Sequence, residues 1–509
     1  MEASPMAGEE APLDLFVVGG GINGAGIACD AVGRSLKVGL CEMNDFASAT
    51  SSASTKLIHG GLRYLEQYEF RLVREALQER EVMLRIAPHI IHPLEFILPH
   101  DKHMRPAWMV RAGLFMYDHL GGKISLPGSR TVMFPDETFS AGLKPVIRRG
   151  FFYSDARVDD ARLTVLNAVS ARDHGAEIRV RTKLVAGRRG NDAWELILRD
   201  ADRRTDSVVR ARGVVNAAGP WVKQLLDEAL KIEMNATVRL VKGSHIVVPR
   251  IHDKGHAYIL QHSDKRVVFV IPFEEKFSLI GTTDVNVEHL ADAAGISAEE
   301  TRYLVQAANR FLAKPLSESD VVWSYAGVRP LYDDGSANPS EITRDYVLKV
   351  ADEGGRLPLL SIFGGKITTY RRLAEQALEE LRAYYPTMSG SWTGAEALPG
   401  GDIASLDEAV REAVEKHPGL PIDYLRRLAS RHGSRTGQVL AGVRSMSGLG
   451  ELFGAGATLL SEREIDYCMQ EEWARMPDDI LWRRTKCGLH MDAAERERAA
   501  NFIRTKAKT

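Results

Sequence analysis

Residues 14–42 read DLFVVGGGINGAGIACDAVGRSLKVGLCE, and this stretch decides the fold. The apolar run Leu15–Val18 predicts a buried parallel strand, and the glycines that follow it form the pattern G-x-G-x-x-G. A helix is predicted from Ile22 to Val32 and a second strand from Lys37 to Cys41. Strand, glycine turn, helix and strand in this order predict a βαβ unit that binds a dinucleotide.

Three glycines and one carboxylate of this unit carry the predicted binding chemistry. Gly19 permits the tight turn, Gly21 lets the backbone approach a pyrophosphate, and Gly24 lets the helix pack on the strand. The N-terminus of the helix offers N–H groups and a partial positive charge to the phosphates. Glu42 lies about twenty positions further on and can accept hydrogen bonds from both hydroxyls of an adenosine ribose. Because these features occur in order, we expect a bound dinucleotide in place of an ordinary glycine-rich turn.

The composition excludes several other classes of protein. A chain of 509 residues is long enough for two or three domains. Its 66 Lys and Arg residues nearly balance 68 Asp and Glu residues, which leaves no general positive field for nucleic acid. The four cysteines are scattered, and Cys29 and Cys41 lie in the predicted core helix and strand, so we expect buried thiols of an intracellular protein in preference to a disulfide or a metal site. We expect no signal peptide and no apolar run of about 18–20 residues that could span a bilayer.

The segment after Glu42 is rich in small polar residues and glycine. Residues 44–67 read NDFASATSSASTKLIHGGLRYLEQ, in which hydroxyl groups and Lys56 could donate to phosphates and Gly60–Gly61 could admit a flat ring. Together with the glycine fingerprint, STKLIHGGLRYLE resembles the FAD-dependent glycerol-3-phosphate dehydrogenases of the respiratory chain, as do the later stretches GVRPL and GGKITTY. The resemblance runs from about residue 12 to the C-terminus.

An α/β fold in three parts is what the resemblance implies. These are a Rossmann-like FAD-binding domain of the amine- and alcohol-oxidising flavoprotein type, an antiparallel-sheet substrate domain and a helical C-terminal domain. The sequence agrees, because strands predicted at Arg266–Pro272 and Phe277–Thr282 are joined by a short turn, as in a hairpin. The expected ranges are 1–90, 151–235 and 336–388 for the FAD-binding domain, 91–150 and 236–335 for the substrate domain, and 389–509 for the C-terminal domain.

FAD is the cofactor that the resemblance implies. A strand predicted at Val208–Asn216 closes on small residues that tolerate contact with a nucleotide, and the resemblance places them beside FAD. Gly364–Gly365 precede another helix, whose N-terminus can stabilise negative charge on a reduced flavin. The expected FAD contacts are Gly19, Gly21, Gly24, Glu42, Ser54, Thr55, Lys56, Leu57, Val185, Ala218, Gly219, Gly365, Ile367 and Thr368.

Oxidation of a secondary alcohol by a flavin needs anchors for the substrate and an acceptor for the hydroxyl proton. Guanidinium groups bind a phosphate through charge-assisted bonds, which favours arginine as the anchor. The proton acceptor is left open between His59 and His245, with a preference for His245. By resemblance, the substrate pocket is formed by Arg63, Tyr64, His245, Thr282, Arg329 and Lys366.

The activity implied by the resemblance is oxidation of sn-glycerol 3-phosphate to dihydroxyacetone phosphate. Hydride is transferred to flavin N5, and the electrons pass on to a membrane quinone. The alternative is an oxygen-reducing oxidase of the same fold, acting on glycerol phosphate or on an amino acid. A flavin-binding scaffold without catalysis is a third hypothesis, and its flavin would not be reduced by glycerol phosphate.

Residues 103–123, HMRPAWMVRAGLFMYDHLGGK, predict a helix that combines apolar and basic residues. Such a helix suits either a membrane interface or burial between domains. Because members of the resembled family are peripheral membrane proteins, the resemblance implies a location on the cytoplasmic, inner face of the cell membrane. A homodimer is expected as well.

Overall fold

The computed structural model describes residues 11–101, 104–262, 266–293, 295–333 and 345–508. The strands are β1 Leu13–Val18, β2 Val38–Glu42, β3 Leu57–Ile58, β4 Ile91–His100, β5 Arg130–Met133, β6 Arg149–Val158, β7 Glu177–Val180, β8 Thr182–Arg189, β9 Trp194–Asp200, β10 Thr205–Asn216, β11 Val238–Pro249, β12 Ala257–Gln261, β13 Val267–Phe273, β14 Phe277–Gly281, β15 Val285–Val287, β16 Trp323–Tyr332, β17 Val347–Ala351, β18 Leu359–Phe363, β19 Leu452–Phe453 and β20 Leu460–Ser461. The helices are α1 Ile22–Gly33, α2 Phe70–Ile86, α3 Ala107–Leu120, α4 Asp160–Asp173, α5 Val222–Gln224, α6 Ala298–Asn309, α7 Tyr370–Glu380, α8 Leu406–Lys416, α9 Ile422–His432, α10 Thr436–Val439, α11 Glu462–Glu471 and α12 Ala493–Lys506.

The first sheet contains the glycine fingerprint. Its strands follow the order β17-β18-β10-β1-β2-β7, and β9 pairs with both β10 and β8. Strands β18, β10, β1, β2 and β7 are parallel to their neighbours in this order. Val18 lies beside both Cys41 and Asn216, so the carboxyl ends of β1, β2 and β10 meet at one edge of the sheet. Ligands bind at such an edge in open α/β sheets.

Strand β1 is buried on both faces, which explains its unbroken apolar sequence. Leu15 and Val17 pack with the core formed by α1, α4 and α7. Phe16 and Val18 point the other way and pack with a second core around Trp194 of β9. The alternation follows from the two-residue period of a strand, and it fixes the glycine turn rigidly at the sheet edge.

The second sheet is mainly antiparallel and is built from two separate parts of the chain. Its order is β15-β11-β14-β13-β12-β4-β6-β3, with β16 paired to β11 and β5 paired to β6. Strands β12 and β4 join the two parts through a short parallel pair. The predicted hairpin is present as β13 and β14.

Strand membership bears on the predicted domain limits. Residue 151, the predicted start of the second FAD-binding range, lies inside β6, which pairs with β4 of the second sheet. Strand β3, inside the predicted range 1–90, also pairs with β6. We therefore propose that the second FAD-binding range starts near residue 159, after the last residue of β6. The predicted limit at residues 335–336 lies outside the described residues.

Residues after 389 form a mostly helical unit from α8 to α12, with one short hairpin of β19 and β20. A π-helical turn, Asp479–Arg484, faces the first sheet through ion pairs that are described below. The four cysteines are buried and carry free thiols, and the burial predicted for Cys29 and Cys41 is confirmed. Within the described ranges, no helix is long and apolar enough to cross a membrane.

Candidate active site

The glycine turn is packed too tightly for any side chain at two of its positions. Gly19 has a φ of +116°, and a Cβ atom there would lie 2.5 Å from the carbonyl oxygen of Ala217. A Cβ atom at Gly24 would lie 1.9 Å from the carbonyl oxygen of Gly19. Gly21 is the N-terminal cap of α1 and lies against the Ser51 hydroxyl, which accepts a 2.9 Å hydrogen bond from the Ile22 N–H. Backbone is therefore exposed to a ligand where the helix begins.

Glu42 is held at the end of β2 by the backbone on both sides of it. Its Oε2 accepts a 2.6 Å hydrogen bond from the Gly20 N–H, and its Oε1 accepts one of 2.8 Å from the Asn44 N–H. Burial raises the pKa of this carboxyl group, whereas the two backbone donors act in the opposite direction. A carboxylate has about four lone-pair sites, so two remain for the hydroxyls of a ribose.

A cavity of about 420 Å³ lies along the edge where β1, β2 and β10 end. Asn23 adds a buried Oδ1 atom that has no hydrogen-bond partner in the described chain. Backbone at a helix N-terminus and a carboxylate with free lone pairs are the groups by which such a turn binds a dinucleotide, so the residues present fit FAD. The predicted FAD contacts that line the cavity are Gly19, Gly21, Glu42, Val185, Ala218, Gly219 and Gly365. We call the part around Gly19–Asn23, Glu42 and Thr182–Val185 the glycine-turn end.

Several other predicted FAD contacts do not line this cavity. The Lys56 ammonium is buried and bonds both oxygens of Asp160, at 2.7 and 2.9 Å, and the Ser54 hydroxyl donates to the same carboxylate. The Thr55 hydroxyl lies 3.0 Å from His245, and Leu57 is buried in β3. The remaining three are Gly24, which lies in α1 against Gly19, and Ile367 and Thr368, which form the short turn before α7. The direct FAD contacts predicted for these residues stay predictions.

Arg329 lies on β16 and points to the residues 282–284 that connect β14 with β15. Its Nη1 atom is 2.7 Å from Asp284, and its Nη2 donates a 3.1 Å hydrogen bond to the Thr282 hydroxyl. Gly243 of β11 leaves room for the guanidinium, because a Cβ atom there would lie 2.5 Å from Arg329 Nη2. Two of the predicted substrate residues are therefore in direct contact.

His245 is buried next to this pair. Its Nε2 lies 3.0 Å from the Thr55 hydroxyl, and its ring stacks on Tyr325 with centroids 4.8 Å apart. The Nδ1 atom is buried without a partner in the described chain. Burial lowers the pKa of His245 well below its usual value, and the positive charge of Arg329 adds to that effect. The ring is consequently a neutral imidazole at neutral pH.

Lys366 lies directly after the glycine pair that follows β18. Its Nζ is 4.0 Å from the centroid of the Tyr64 ring, a cation–π contact. Burial lowers the pKa of His59, with Asp155 opposing the shift and Lys366 adding to it. Arg63 has its backbone in the turn Leu62–Gln67, but its side chain lies outside what the structure describes.

Tyr64, His245, Thr282, Arg329 and Lys366 are predicted substrate residues, none of which lines the cavity itself, and we call these five residues the cationic end. Pro330 and Gly365, the immediate neighbours of Arg329 and Lys366, both line the cavity wall. The backbone segments that carry them converge, because a Cβ atom at Gly364 would lie 3.8 Å from the carbonyl oxygen of Pro330. The fold therefore brings the backbone neighbours of the two predicted cations together at the cavity wall.

Sequence reasoning missed Asp284 and the buried carboxylate of Glu300 behind it. Glu300 accepts hydrogen bonds of 2.8 Å from the Ser244 and Thr283 hydroxyls and pairs with Lys242 at 2.7 Å. These contacts hold the segment that carries Thr282 against β11. The Ser297–Glu300 spacing marks a helix start, but no sequence signal connects that helix with the distant strand.

Comparisons with known proteins agree with this geometry. The family described as FAD dependent oxidoreductase matches residues 14–371, and the C-terminal domain of alpha-glycerophosphate oxidase matches residues 391–507. A glycerol-3-phosphate dehydrogenase of Pseudomonas aeruginosa is 50% identical over 97% of this chain and 95% of its own. The chain belongs to the family of FAD-dependent glycerol-3-phosphate dehydrogenases.

Two further relatives define the family around this chain. A D-erythritol 1-phosphate dehydrogenase of Brucella abortus is 49% identical over 96% of this chain and 97% of its own. The glycerol-3-phosphate dehydrogenase of Bacillus halodurans, solved with FAD, is 29% identical, covers 98% of this chain and 95% of its own, and has a TM-score of 0.72. The predicted family, fold class and cofactor are confirmed, and FAD is the cofactor of this protein.

Proposed function

We propose that this protein uses FAD to oxidise sn-glycerol 3-phosphate to dihydroxyacetone phosphate. The observation that carries the proposal is the cationic end, where Arg329 and Lys366 flank the wall of the cavity at Pro330 and Gly365. A phosphate group needs such cations, since it is a dianion or nearly so at neutral pH. The relative from Pseudomonas aeruginosa, at 50% identity, supports the same substrate.

Each residue of the cationic end has a part in the proposed reaction. Arg329 binds the substrate phosphate, and Thr282 holds its guanidinium in place. Lys366, fixed over the Tyr64 ring, supplies a second positive charge. A neutral imidazole accepts the proton of the secondary hydroxyl, and His245 remains our preference over His59. FAD, when bound, supplies the acceptor for the hydrogen and the electron pair that leave the carbinol carbon.

The test is an absorption spectrum of the purified holoenzyme before and after anaerobic addition of sn-glycerol 3-phosphate. We expect the oxidised-flavin band to disappear and one equivalent of dihydroxyacetone phosphate to form per flavin. If the band persists with sn-glycerol 3-phosphate but disappears when dithionite is added, the proposed substrate is wrong and the cofactor is still FAD.

D-erythritol 1-phosphate is a second candidate substrate, favoured by the relative from Brucella abortus at nearly equal identity. Both compounds carry a phosphate and a secondary alcohol, so the cationic end suits both. The ratio of kcat/KM values for the two substrates decides between them, and we expect it to favour glycerol phosphate. A higher kcat/KM for D-erythritol 1-phosphate than for glycerol phosphate would make D-erythritol 1-phosphate the preferred substrate.

For the electron acceptor we propose a membrane quinone, with oxygen as the alternative. The test compares two rates of reoxidation of the substrate-reduced enzyme, one with a water-soluble ubiquinone analogue and one with dissolved oxygen. Faster reoxidation by oxygen would make the protein an oxidase. An amino-acid oxidase is disfavoured, because a carboxylate needs one arginine whereas this site presents two cations.

The exposed face of α3 supports a peripheral location on the inner face of the cytoplasmic membrane. Trp108 and Phe115 are 70% and 55% exposed, whereas Leu114 and Tyr117 on the other face are buried. Apolar and aromatic side chains on one face of a helix suit insertion into a lipid interface. We expect Trp108→Ser with Phe115→Ser to reduce binding to anionic lipid vesicles, and Met133→Ser, a control that is 65% exposed, to leave it unchanged.

Retained vesicle binding in the double α3 variant would overturn the assignment of this surface.

We also propose a homodimer, because the resembled family suggests one. The molar mass of the detergent-solubilised holoenzyme by light scattering tests it, and a value near the 56.3 kDa of one chain would contradict it.

A further inference from the structure

The loop after Glu42 forms one wall of the glycine-turn end and is tied to the C-terminal unit. Asp45, in this loop, is buried and bonds Arg484 through both oxygens, at 2.6 and 2.8 Å. Arg483 donates from Nε to the same carboxylate at 2.7 Å. The Phe46 ring is fully buried and contacts Trp473, with centroids 5.3 Å apart.

The same loop is connected to the backbone that contacts a ligand. The Ala47 N–H donates to the carbonyl oxygen of Gly20 at 3.2 Å, and the Asn44 N–H donates to Glu42. A displacement of Asp45 and Phe46 would therefore move both the glycine turn and the ribose carboxylate. Neither Asp45 nor Phe46 lines the cavity, so their contribution is indirect.

The opposite wall, where β8 begins, is tied to the same turn of the C-terminal unit. Arg181 lies between β7 and β8, and its Nη2 donates a 2.8 Å hydrogen bond to Asp479. Its backbone N–H donates to the carbonyl oxygen of Asn44 at 3.0 Å, which joins the two walls. Asp479 also pairs with Arg483 at 2.5 Å. The turn Asp479–Arg484 thus bonds both sides of the cavity at its glycine-turn end.

We propose that residues 473–484 are a positioning element for FAD, and that the C-terminal unit retains the cofactor by fixing these two walls. The physical reason is preorganisation. A loop that is already ordered loses little conformational entropy when a ligand binds, whereas a loop that becomes ordered only on binding loses more, which weakens the affinity. The inference requires FAD in this cavity but does not depend on which substrate is oxidised.

Arg483→Gln tests the proposal, because it removes the charge shared by Asp45 and Asp479 without touching the cavity. We expect the FAD dissociation constant, measured by the rise of flavin fluorescence on dilution of the holoenzyme, to increase about 10- to 100-fold. Excess FAD should restore activity, with a KM for glycerol phosphate within about twofold of the native value. Arg483→Lys should recover part of the affinity.

The matched control is Arg427→Gln. Arg427 also joins the C-terminal unit to the rest of the chain, through Glu274 of the second sheet, and its side chain is 15% exposed against 16% for Arg483. We expect this variant to lower the melting temperature with and without added FAD and to leave the FAD dissociation constant unchanged. In Arg483→Gln, excess FAD should recover most of the lost melting temperature.

An FAD dissociation constant within about twofold of the native value in Arg483→Gln would overturn the proposal. So would an equal loss of affinity in Arg427→Gln, which would indicate a general effect of docking the C-terminal unit. If Arg483→Gln does not fold, Arg181→Gln on the opposite wall replaces it. The FAD dissociation constant is then measured for that variant, and a value within about twofold of the native one would again overturn the proposal. Because no substrate is present in the binding assay, a wrong substrate would not affect the outcome.

Discussion

The two ends of the cavity are built in different ways. At the glycine-turn end, a ligand meets backbone from a few consecutive residues, Gly19–Asn23, together with one carboxylate that the backbone holds. At the cationic end we propose that it meets side chains from separate strands, such as Arg329 of β16 and His245 of β11. The first end depends on the absence of side chains, and the second depends on their charge.

This difference predicts how each end responds to substitution. Adding atoms at the glycine-turn end forces the backbone to move, so both folding and FAD content suffer. Removing a charge at the cationic end leaves the backbone in place and affects the substrate alone. Four substitutions or conditions, from the largest expected effect to the smallest, test this contrast.

The largest effect is expected for Gly24→Ala. Its new Cβ atom would lie 1.9 Å from the carbonyl oxygen of Gly19, which is backbone and cannot rotate away. We expect a loss of at least about 3 kcal/mol in the free energy of unfolding, together with most of the bound flavin. Urea unfolding and the flavin-to-protein absorbance ratio measure the two losses.

Gly113→Ala in α3 is the control for this substitution. Nothing lies within 4 Å of its added Cβ atom, so the same change should stabilise the helix slightly. A Gly24→Ala protein with full flavin content and native stability would show that the turn is not as tight as the geometry indicates.

The next largest effect is expected for Arg329→Leu. The phosphate would lose charge-assisted bonds worth about 2–4 kcal/mol, a factor of about 30 to 1,000 in kcat/KM. FAD content should remain native, because Arg329 contacts Thr282 and Asp284 and no residue of the glycine turn. Arg329→Lys should recover only part of the activity, since an ammonium lacks the planar fork.

Plain glycerol and a second variant serve as controls. Glycerol lacks the phosphate, so its poor oxidation should barely change in Arg329→Leu. Arg239→Leu removes a comparable ion pair, in which the guanidinium lies 3.1 Å from Asp333, directly after β16, and should leave kcat/KM unchanged. Equal losses on glycerol and glycerol phosphate would mean that Arg329 acts on the carbinol or supports the fold.

The same contrast explains what the sequence could and could not predict. Helix α1 was predicted at Ile22–Val32 and is found at Ile22–Gly33, because a βαβ unit with its glycines is a local pattern. The bond between Asp45 and Arg483 joins residues 438 positions apart, and neither residue is distinguishable from a surface charge in the sequence. Strands β7 and β8 are divided at Arg181, whose φ of +55° has no sequence signal comparable to a glycine.

The cationic end could be named from the sequence only through resemblance to a family. Arg329, Lys366 and His245 have no characteristic spacing, because strand β16, the turn after β18 and strand β11 carry them. Thr282 and Arg329, both named through the resemblance, are in contact, but the resemblance could not indicate Asp284, which pairs with Arg329. Contacts that depend on tertiary structure require coordinates.

Glu42→Ala should have a moderate effect that is confined to the cofactor. Each hydrogen bond from a ribose hydroxyl to this charged acceptor is worth roughly 1.5–3 kcal/mol, so the FAD dissociation constant should rise at least about 10-fold. Glu42→Gln keeps one oxygen for the Gly20 N–H and should lie between native and Ala. Full flavin retention on dilution of the Ala variant would remove Glu42 from the binding site.

The smallest expected effect is a loss in the free energy of unfolding at acidic pH, which we assign to a histidine of the second sheet. His92 of β4 lies opposite Arg157 of β6, and burial, with a further contribution from Arg157, lowers the pKa of His92 to about 4. An unfolded histidine titrates near pH 6.5, so between about pH 6.5 and 4 the unfolded chain binds more protons than the folded one. The stabilisation is therefore complete above about pH 6.5 and is lost as the pH falls towards 4.

At pH 5 the loss should be about 1–2 kcal/mol for this residue, at 1.36 kcal/mol per unit of pKa difference. The measurement is the difference in unfolding free energy between pH 7.5 and 5 for the native protein and for His92→Gln, which has no proton to gain and should lose less. An equal loss in both proteins would mean that His92 is already protonated in the folded state at pH 5, and the acid sensitivity would then belong to other groups.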